Sequence, residues 1–291
     1  MRARRARPIY SDELWEWPVR LGPLLVLLLL ALSGCILLLR TQQHTLIYHP
    51  RPYAPEALAG LAPDGRELKF ETTAGQQSAF YLPQGWGGAM PPQLWIAFCG
   101  NGWLALDWLG LVREAPQATG AFLLVDYPGY GHSAGKATIA GTEAAAELQA
   151  LARFLRVDEK QLEPRLAALG HSLGAAAALE FSTHHPVQQV IAISPFTSMR
   201  EEAAFHFGRP LSHLLVGNYD NRARLRELAL RRSPPRVVIF HGAEDRLIPP
   251  RMGRELADAF PGFVRFVPIA GADHVTVLTL GWTSILEKLA R

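Results

Sequence analysis

The sequence predicts an α/β fold in which eight mostly parallel strands form one sheet covered by helices on both faces, preceded by one N-terminal transmembrane helix. Three observations support it. From residue 67 onward, short apolar or β-branched runs alternate with helical patterns, which is typical of parallel strands joined by crossover helices. One long uncharged run covers residues 21–39. The remaining length suits one large domain, because a domain of about 250 residues buries roughly three quarters of its surface.

The individual elements are assigned from hydrophobic periodicity. Strands are predicted at residues 67–73, 78–82, 94–98, 121–125, 165–169, 190–193, 236–240 and 264–268. Helices are predicted at residues 104–114, 138–155, 173–181, 251–260 and 275–289. Residues 40–66 are rich in proline, glycine and alanine without a period, so we interpret them as a linker to a large α/β domain at residues 67–291. An insertion at about residues 200–232, between the sixth and seventh strands, is predicted to form a cap on this domain.

The uncharged run of residues 21–39 is long enough, at about 1.5 Å per helical residue, to span the roughly 30 Å hydrocarbon core of a membrane. Five arginines precede it within residues 1–20, while Arg40 and Arg51 follow. The positive-inside rule therefore predicts a cytoplasmic tail at residues 1–20 and a domain outside the cytoplasm, facing the periplasm if the protein is bacterial.

An alternative for this segment stays open. Residues 32–35 (LSGC) resemble the lipobox of a bacterial lipoprotein, in which the chain is cut before Cys35 and the thiol is lipidated. Against that reading, residues 36–39 continue the apolar run, whereas a processed lipoprotein usually turns polar there. An ordinary cleaved signal or a buried helix is a further alternative.

Charge and cysteine content bear on several classes of function. The formal net charge is +3, but residues 1–40 hold six arginines and three acidic residues, which leaves 23 basic and 23 acidic residues elsewhere. A neutral globular part gives no indication of nucleic-acid binding. Cys35 lies in the apolar run, so Cys99 has no partner for an intradomain disulfide. No metal-ligand spacing, P-loop or dinucleotide fingerprint occurs, and no metal or cofactor is predicted.

The pattern G-x-S-x-G, which marks a nucleophilic serine on a sharp turn, occurs at residues 131–135 and again at residues 170–174. Such a turn needs a strand that enters, a strained serine and a helix that leaves at once. An apolar run leads into Ser172 and an alanine-rich helix follows it, whereas Ser133 lies eight residues after the nearest strand. We therefore predict that Ser172 is the nucleophile and that Ser133 is a turn residue.

Where such a turn carries the nucleophile, the acid and the histidine follow it in the chain. His274 lies in a turn after the last strand, and we predict that it is the general base. Asp245 lies just past the seventh strand and is predicted to orient that imidazole, with the adjacent Glu244 as the alternative. Apart from His241 at a strand end, the other histidines are predicted to lie in loops or on solvated faces.

These motifs resemble those of the α/β-hydrolase superfamily, and most closely its small single-anchor membrane serine hydrolases, which include membrane-bound acyl-protein thioesterases. The resemblance covers residues 67–291 and rests on residues 98–101 (FCGN), 126–131 (DYPGYG), 170–174 (GHSLG), 194–199 (SPFTSM), 241–245 (HGAED) and 271–274 (GADH). It implies an oxyanion hole formed by the backbone N–H of Leu173 and that of Asn101 or Gly102.

Cys99 departs from the family, which usually has a histidine there. We interpret it as a buried strand-end residue, with a reactive thiol as the alternative.

The predicted cap bears on the substrate. Its apolar members are Phe205, Phe207, Leu211, Leu214, Leu215, Val216 and Tyr219. A roof of this kind facing Trp103 and Trp108, near a membrane, favours an acyl or lipid-like ester, and the alternative is that these residues complete the core. A cluster of arginines either faces anionic headgroups or forms a solvated helix face; it comprises Arg222, Arg224, Arg226, Arg231, Arg232 and Arg236.

The leading hypothesis is a membrane-anchored esterase or thioesterase that acts on a small-molecule or lipid-like ester through an acyl-enzyme. A serine peptidase and a non-catalytic membrane tether with the same fold are the alternatives.

Overall fold

A computed structural model describes residues 16–86, 90–116, 120–139 and 144–290. The chain divides into two compact units, Met1–Gln43 and His44–Arg291. A long N-terminal helix, α1 (Glu16–Ile47), accounts for the described part of the first unit, and the sheet with the other helices makes up the second.

Helix α1 has apolar side chains on every side across its middle. Residues such as Leu24, Leu28 and Leu37 are more than half exposed, so this stretch lacks the polar face of a soluble amphipathic helix. The segment Gly22–Ile47 is long and apolar enough to cross a membrane. Its length and composition thus suffice for a membrane anchor or a signal sequence.

The predicted linker at residues 40–66 differs from the structure at its start. Helix α1 continues to Ile47, and a short 3-10 helix follows at Ala57–Gly60. From His44 onward the chain belongs to the second compact unit. Hydrogen bonds to distant loops hold this segment, and a search for local periodicity does not detect such bonds.

Eight strands form one sheet in the order β1-β2-β4-β3-β5-β6-β7-β8. The hairpin of β1 and β2 is antiparallel, β2 pairs antiparallel with β4, and every other neighbouring pair is parallel. The outer strand β1 carries the exposed residues Lys69 and Glu71, and the other outer strand, β8, carries the exposed Arg265 and Pro268. The predicted α/β fold with an eight-stranded, mostly parallel sheet is confirmed. The strands are β1 (Arg66–Thr72), β2 (Gly75–Leu82), β3 (Leu94–Phe98), β4 (Ala121–Val125), β5 (Leu166–His171), β6 (Gln189–Ile193), β7 (Arg236–Gly242) and β8 (Val264–Ile269).

Helices cover both faces of the sheet because alternate side chains of the central strands point to opposite sides. On β3, Ile96 and Phe98 pack into one apolar cluster, whereas Trp95 and Ala97 pack into the other. Helices on the first side are α3 (Ala145–Leu155), α5 (Leu173–His184), α8 (Asn221–Ala229) and α9 (Pro250–Ala259). Helices on the second side are α2 (Leu109–Glu114), α10 (Val277–Leu280) and α11 (Trp282–Leu289).

Three predicted helices begin later in the structure or are divided there. The helix predicted at residues 104–114 is a 3-10 helix, Ala105–Trp108, followed by α2. The helix predicted at residues 138–155 begins at Ala145, and residues 140–143 lie outside the described part of the chain. The helix predicted at residues 275–289 is two helices, α10 and α11, separated at Gly281. A short helix, α4 (Glu159–Leu162), also precedes β5.

The carboxyl ends of the parallel strands meet at one edge of the sheet, where open α/β folds place their ligands. The chain leaves β3, β5, β7 and β8 there through the loops that carry the predicted site residues. The predicted insertion between β6 and β7 contains three helices, α6 (Met199–Phe207), α7 (Arg209–Ser212) and α8. Ser198 and Asp220 cap α6 and α8, since each side chain accepts a hydrogen bond from a first-turn backbone N–H.

Candidate active site

Ser172 lies at the sharp turn between β5 and α5. Its backbone has φ +58° and ψ −119°, a conformation that an L-residue other than glycine rarely adopts. The N–H of Ser172 donates to the carbonyl of Ile193, at 2.8 Å, which ties the turn to β6. Helix α5 begins at the next residue. The strand, strained serine and immediate helix are the parts of a nucleophile elbow.

The two glycines of this motif are required by close packing of the backbone. A Cβ atom at Gly170 would lie 2.0 Å from the carbonyl oxygen of Gly174. A Cβ atom at Gly174 would lie 2.3 Å from the carbonyl oxygen of Phe98. Because backbone atoms on both sides leave no room, only glycine fits at either position. The same contacts bring the start of α5 against the end of β3.

The second copy of the motif has a different role. The Ser133 hydroxyl is buried and accepts a hydrogen bond, at 3.1 Å, from the backbone N–H of Ser78 on β2. Its carbonyl accepts one from Gly129 within the same loop. No described hydrogen bond joins Ser133 to a histidine. The structure therefore places Ser133 in a loop that is attached to β2, as a turn residue.

His274 and Asp245 lie side by side. The Asp245 Oδ2 atom is 2.7 Å from His274 Nδ1, and the carboxylate is fully buried while the imidazole is slightly exposed. A carboxylate can only accept here, so Nδ1 carries the proton and Nε2 of a neutral His274 is free to act as a base. Glu244, the alternative acid, is exposed. No described hydrogen bond joins Ser172 to His274; hydrogen bonds between a nucleophile and its base are often long or poorly aligned without substrate.

Two further hydrogen bonds hold the carboxylate. The backbone N–H groups of Leu247 and Ile248 both donate to Asp245 Oδ1, at 3.0 and 2.8 Å. Burial by itself would raise the pKa of Asp245, but hydrogen bonds from His241 and His274 and from the backbone N–H of Ile248 lower it well below its usual range. Asp245 is therefore an anion at neutral pH.

Two more histidines support these residues, and their roles were not predicted. His171 is buried, and its Nε2 donates to the carbonyl of His274 at 2.9 Å. Its ring also packs between His274 and Trp103, at centroid distances of 4.9 and 5.5 Å. His241 is buried, and its Nε2 lies 2.9 Å from the Ile248 carbonyl and 3.4 Å from Asp245 Oδ2.

The prediction that most histidines lie in loops or on solvated faces is wrong for His171. Burial lowers the pKa of His171 to about 3, so the ring is neutral at any ordinary pH. Its position at the carboxyl end of β5, directly before the serine, was the sequence signal that could have identified it.

The predicted oxyanion donors lie on the two segments that flank Ser172. Leu173 is the first residue of α5. Asn101 and Gly102 belong to residues 100–103, which we call the oxyanion loop, and a Cβ atom at Gly100 would lie 3.8 Å from Ser172 Cβ. No described hydrogen bond is donated by the backbone N–H of Leu173, Asn101 or Gly102. These three groups are therefore free to receive a negatively charged oxygen.

Cys99, at the end of β3, is fully buried. Its thiol lies 3.8 Å from the carbonyl of Val125, and its own carbonyl accepts a hydrogen bond from Tyr127 at 2.7 Å. Burial and the nearby charge of Asp126 raise the pKa of Cys99 well above its usual range. A buried thiol of this kind is a weak nucleophile, which supports the interpretation of Cys99 as a packing residue.

The cap is held close to the acid loop. His206 on α6 is 2.9 Å, through Nε2, from the carbonyl of Leu247. Glu202 on the same helix is partly buried, and burial together with the charge of Asp245 raises its pKa to about 7. Residues Phe205, Phe207 and Leu211 of the cap are about half exposed or more.

Tyr219 of the predicted roof and Trp108 of the loop predicted to face it belong to the core instead. They are almost fully buried, at 1% and 2% exposure. The predicted arginine cluster is partly paired within the protein. Arg222 bonds to Glu201 and Glu255, whereas Arg224 bonds to Glu180 and Glu227. Two of its six charges are thus paired with neighbouring carboxylates.

Comparison with known proteins agrees with this architecture. The chain is 30% identical over 281 residues to uncharacterized protein Rv2307c of Mycobacterium tuberculosis, covering 92% of this chain and 93% of that protein. The family model described as serine aminopeptidase, S33, matches residues 111–230.

Solved structures share the fold. The esterase PF2001 of Pyrococcus furiosus superposes with a TM-score of 0.59 and 18% identity, over 84% of this chain and 97% of that one. Esterase 2 of Thermogutta terrifontis, phosphoramylated by tabun, superposes with a TM-score of 0.55 and 18% identity, over 78% and 92%. The chain belongs to the same family as Rv2307c and has the α/β-hydrolase fold.

Proposed function

We propose that this protein is a membrane-anchored serine hydrolase that cleaves carboxylic ester or thioester bonds through an acyl-enzyme. Ser172 is the nucleophile, His274 the general base and Asp245 the orienting carboxylate. The observation that carries the proposal is the 2.7 Å contact between Asp245 Oδ2 and His274 Nδ1, at the same sheet edge as the strained turn at Ser172.

The reaction follows from these positions. The Ser172 hydroxyl attacks the substrate carbonyl while His274 Nε2 takes its proton, and Asp245 stabilises the imidazolium that forms. The carbonyl oxygen becomes an anion, which the N–H of Leu173 and an N–H of the oxyanion loop receive. His274 then gives the proton to the leaving alcohol or thiol, which leaves Ser172 acylated. Water attacks the acyl-enzyme by the same route, releases the acid and restores the serine.

The rim of the site supports an acyl or lipid-like substrate. Phe205, Phe207 and Leu211 of the cap are exposed, and so are Leu247 beside the acid and Val275 beside the base. Exposed apolar side chains in one region mark surfaces that bind apolar ligands or membranes. Ester and thioester substrates with an acyl chain fit such a rim.

A serine peptidase is the second candidate, because a model of serine aminopeptidases matches residues 111–230 and the same acyl-enzyme can form from an amide. Panels of esters, thioesters and peptides, tested on the full-length protein in detergent, separate the two. Faster turnover of peptides than of esters would replace the first proposal.

The duplicated motif provides the most direct test of the nucleophile. A fluorophosphonate modifies a serine only when a base and an oxyanion hole act on it. We expect Ser172→Ala to abolish labelling and ester turnover with little change in thermal stability. Ser133→Ala is the matched control and should keep both activities within a modest factor. Labelling that persists in Ser172→Ala but disappears in Ser133→Ala contradicts the assignment, and a folded wild-type protein that is never labelled favours a non-catalytic tether.

The proposed topology has the N-terminus in the cytoplasm and the hydrolase domain outside it, because five arginines precede residues 21–39. A reporter that is active only outside the cytoplasm should be active when fused after Arg291. Activity of a cytoplasmic reporter instead would overturn this topology. Metabolic labelling with a fatty acid that depends on Cys35 would select the lipoprotein alternative.

A further inference from the structure

The last residue of α1 and the segment that follows it are hydrogen-bonded to the oxyanion loop. We call these residues, 47–53, the strap. The carbonyl of Ile47 accepts a bond from Asn101 Nδ2 at 3.2 Å. The N–H of His49 donates to the Asn101 carbonyl at 3.1 Å. Arg51 Nε donates to the Gly102 carbonyl at 3.1 Å. Three alternate residues of the strap therefore contact two adjacent residues of the loop, Asn101 and Gly102.

The strap is well suited to hold a fixed position. Pro50 and Pro52 flank Arg51, and a proline fixes its own φ while it restricts the residue before it to extended conformations. Few alternative conformations are then lost when the strap forms its bonds. Its own carbonyl at Arg51 accepts a bond from the N–H of Gly131, at 3.0 Å, which attaches the strap to the loop after β4.

Two tyrosine hydroxyls add hydrogen bonds to the contact between the strap and the oxyanion loop. Tyr130 donates to the Asn101 carbonyl at 2.6 Å and accepts from the His49 N–H at 2.8 Å. Tyr53 donates to Asp126 Oδ2 at 2.7 Å, and the other oxygen of Asp126 accepts from the N–H of Ala105 at 2.8 Å. Arg51 also pairs with Asp107, which accepts from the N–H of Leu104. The chain on both sides of Gly102 is thus restrained.

These bonds determine the direction of the N–H groups in the loop. A peptide unit is planar and trans, so its C=O and N–H point in opposite directions. The Asn101 carbonyl shares its peptide unit with the N–H of Gly102. When His49 and Tyr130 hold that carbonyl, they also fix the orientation of the Gly102 N–H. The oxyanion hole works only if its donors point at the developing charge before the reaction begins.

We infer that the strap is a positioning element of the active site: Tyr130 orients the N–H of Gly102 through the Asn101 carbonyl, and Arg51 holds Gly102 in place through the next carbonyl. The inference rests on the proposed serine hydrolase activity. Neither side chain has to touch the substrate for this effect. The strap begins eight positions after Leu39, the last residue of the uncharged run, so the segment next to the proposed anchor is also part of the catalytic apparatus.

The test uses the full-length chain in detergent and an activated ester, with active sites counted by fluorophosphonate titration. Arg51→Ala removes the bond to Gly102, and Tyr130→Phe removes one hydroxyl. Loss of a whole oxyanion donor lowers kcat by about 10²–10³-fold, so misalignment in each single variant should lower kcat by roughly tenfold. KM should change by less than about twofold because the charged oxygen exists only in the transition state. Arg51→Lys should recover part of the loss.

A boronic acid that mimics the tetrahedral intermediate provides a second readout, because its Ki should rise in parallel with the loss of kcat/KM. Arg66→Ala is the matched control. Among the described residues, the Arg66 side chain donates hydrogen bonds only to the nearby carbonyls of Pro63 and Gly65, so this variant should leave both kcat and the boronate Ki unchanged. An active wild-type enzyme whose Arg51 and Tyr130 variants keep kcat and the boronate Ki would overturn the inference. A wild-type protein that is neither labelled nor active would instead overturn the proposed function.

Discussion

Asp245 binds two imidazoles and two backbone N–H groups at once. Oδ2 faces His274 and His241, and Oδ1 accepts from Leu247 and Ile248. Oδ1 therefore holds the loop that follows Asp245, while Oδ2 orients the imidazole of His274. This division explains how a buried charge is tolerated, because every side of the carboxylate has a donor.

Asp245→Asn tests that division. Asparagine keeps an oxygen for the two backbone donors, so the loop should persist. Its amide nitrogen would face His274 Nδ1 and favour the wrong tautomer, and kcat should fall by roughly 10⁴-fold, as when a triad aspartate is neutralised. The measurement is kcat with the melting temperature recorded beside it. Glu244→Gln, at the exposed neighbour, should change kcat little, and the reverse pattern would mean that the acid is one residue earlier.

At the scale of elements, the contact between β3, β5 and α5 determines the shape of the site. Gly170 and Gly174 let the turn, the helix and the end of β3 approach within backbone contact distance. The oxyanion loop leaves β3 at the same place, so one packing contact positions both the proposed nucleophile, Ser172, and this loop. A shift of α5 would separate the two.

A pair of glycine-to-alanine substitutions in helices tests this contact. In Gly174→Ala the new methyl would lie 2.3 Å from the Phe98 carbonyl oxygen, and overpacking of this kind costs about 1–3 kcal/mol or more. In Gly110→Ala, on α2, the nearest neighbouring atom is 3.8 Å away, on Trp282, and alanine favours a helix by up to about 1 kcal/mol. In thermal unfolding, the melting temperature should fall strongly in Gly174→Ala and should not fall in Gly110→Ala. Equal melting temperatures would contradict the packing argument.

At the scale of the whole molecule, buried ionisable groups make stability depend on pH in opposite directions. Burial raises the pKa of Glu147 to about 7 and that of Asp126 to about 6. Between the unfolded and folded pKa values the folded protein binds more protons, so stability falls as the pH rises from about 4 to 7. His171, whose pKa is lowered to about 3, has the opposite effect on stability. The folded protein binds fewer protons at this residue than the unfolded chain, so the free energy of unfolding falls as the pH falls below about 6.5.

Glu147 allows the first effect to be isolated, since it lies on α3 and does not contact the proposed catalytic residues. In Glu147→Gln the side chain is neutral at every pH. The melting temperature of the variant relative to wild type should therefore rise between pH 5 and pH 8, where the wild type has to bury a charge. The exposed Glu71→Gln is the control and should show no such trend. A constant difference for Glu147→Gln would argue against a buried charge at this position.

The features of the fold and of the candidate site that could be predicted are those whose sequence signal lies within a short stretch of the chain. The strands and the class of fold follow from short periodic runs, and the turn at Ser172 follows from a strand, a motif and a helix within about 15 residues. The strap could not be predicted, because Arg51 meets Gly102 across 51 residues and residues 40–66 show no period. For Tyr219 of the roof and Trp108 of the opposite loop, the sequence left open whether they line the site or complete the core, because composition does not show which side of a loop packs inward. The catalytic roles of Ser172, His274 and Asp245 stay predictions.

The two outer strands of the sheet affect how the folded protein tolerates crowding. A strand from another molecule would have to remove water from Lys69 and Glu71 to pair with β1. At the opposite edge, Arg265 adds charge to β8 and Pro268 has no N–H to donate. Charged residues and prolines at sheet edges oppose strand addition between molecules. Intermolecular extension of the sheet, the first step towards ordered aggregates, is therefore disfavoured at both ends, even where many copies share a small volume.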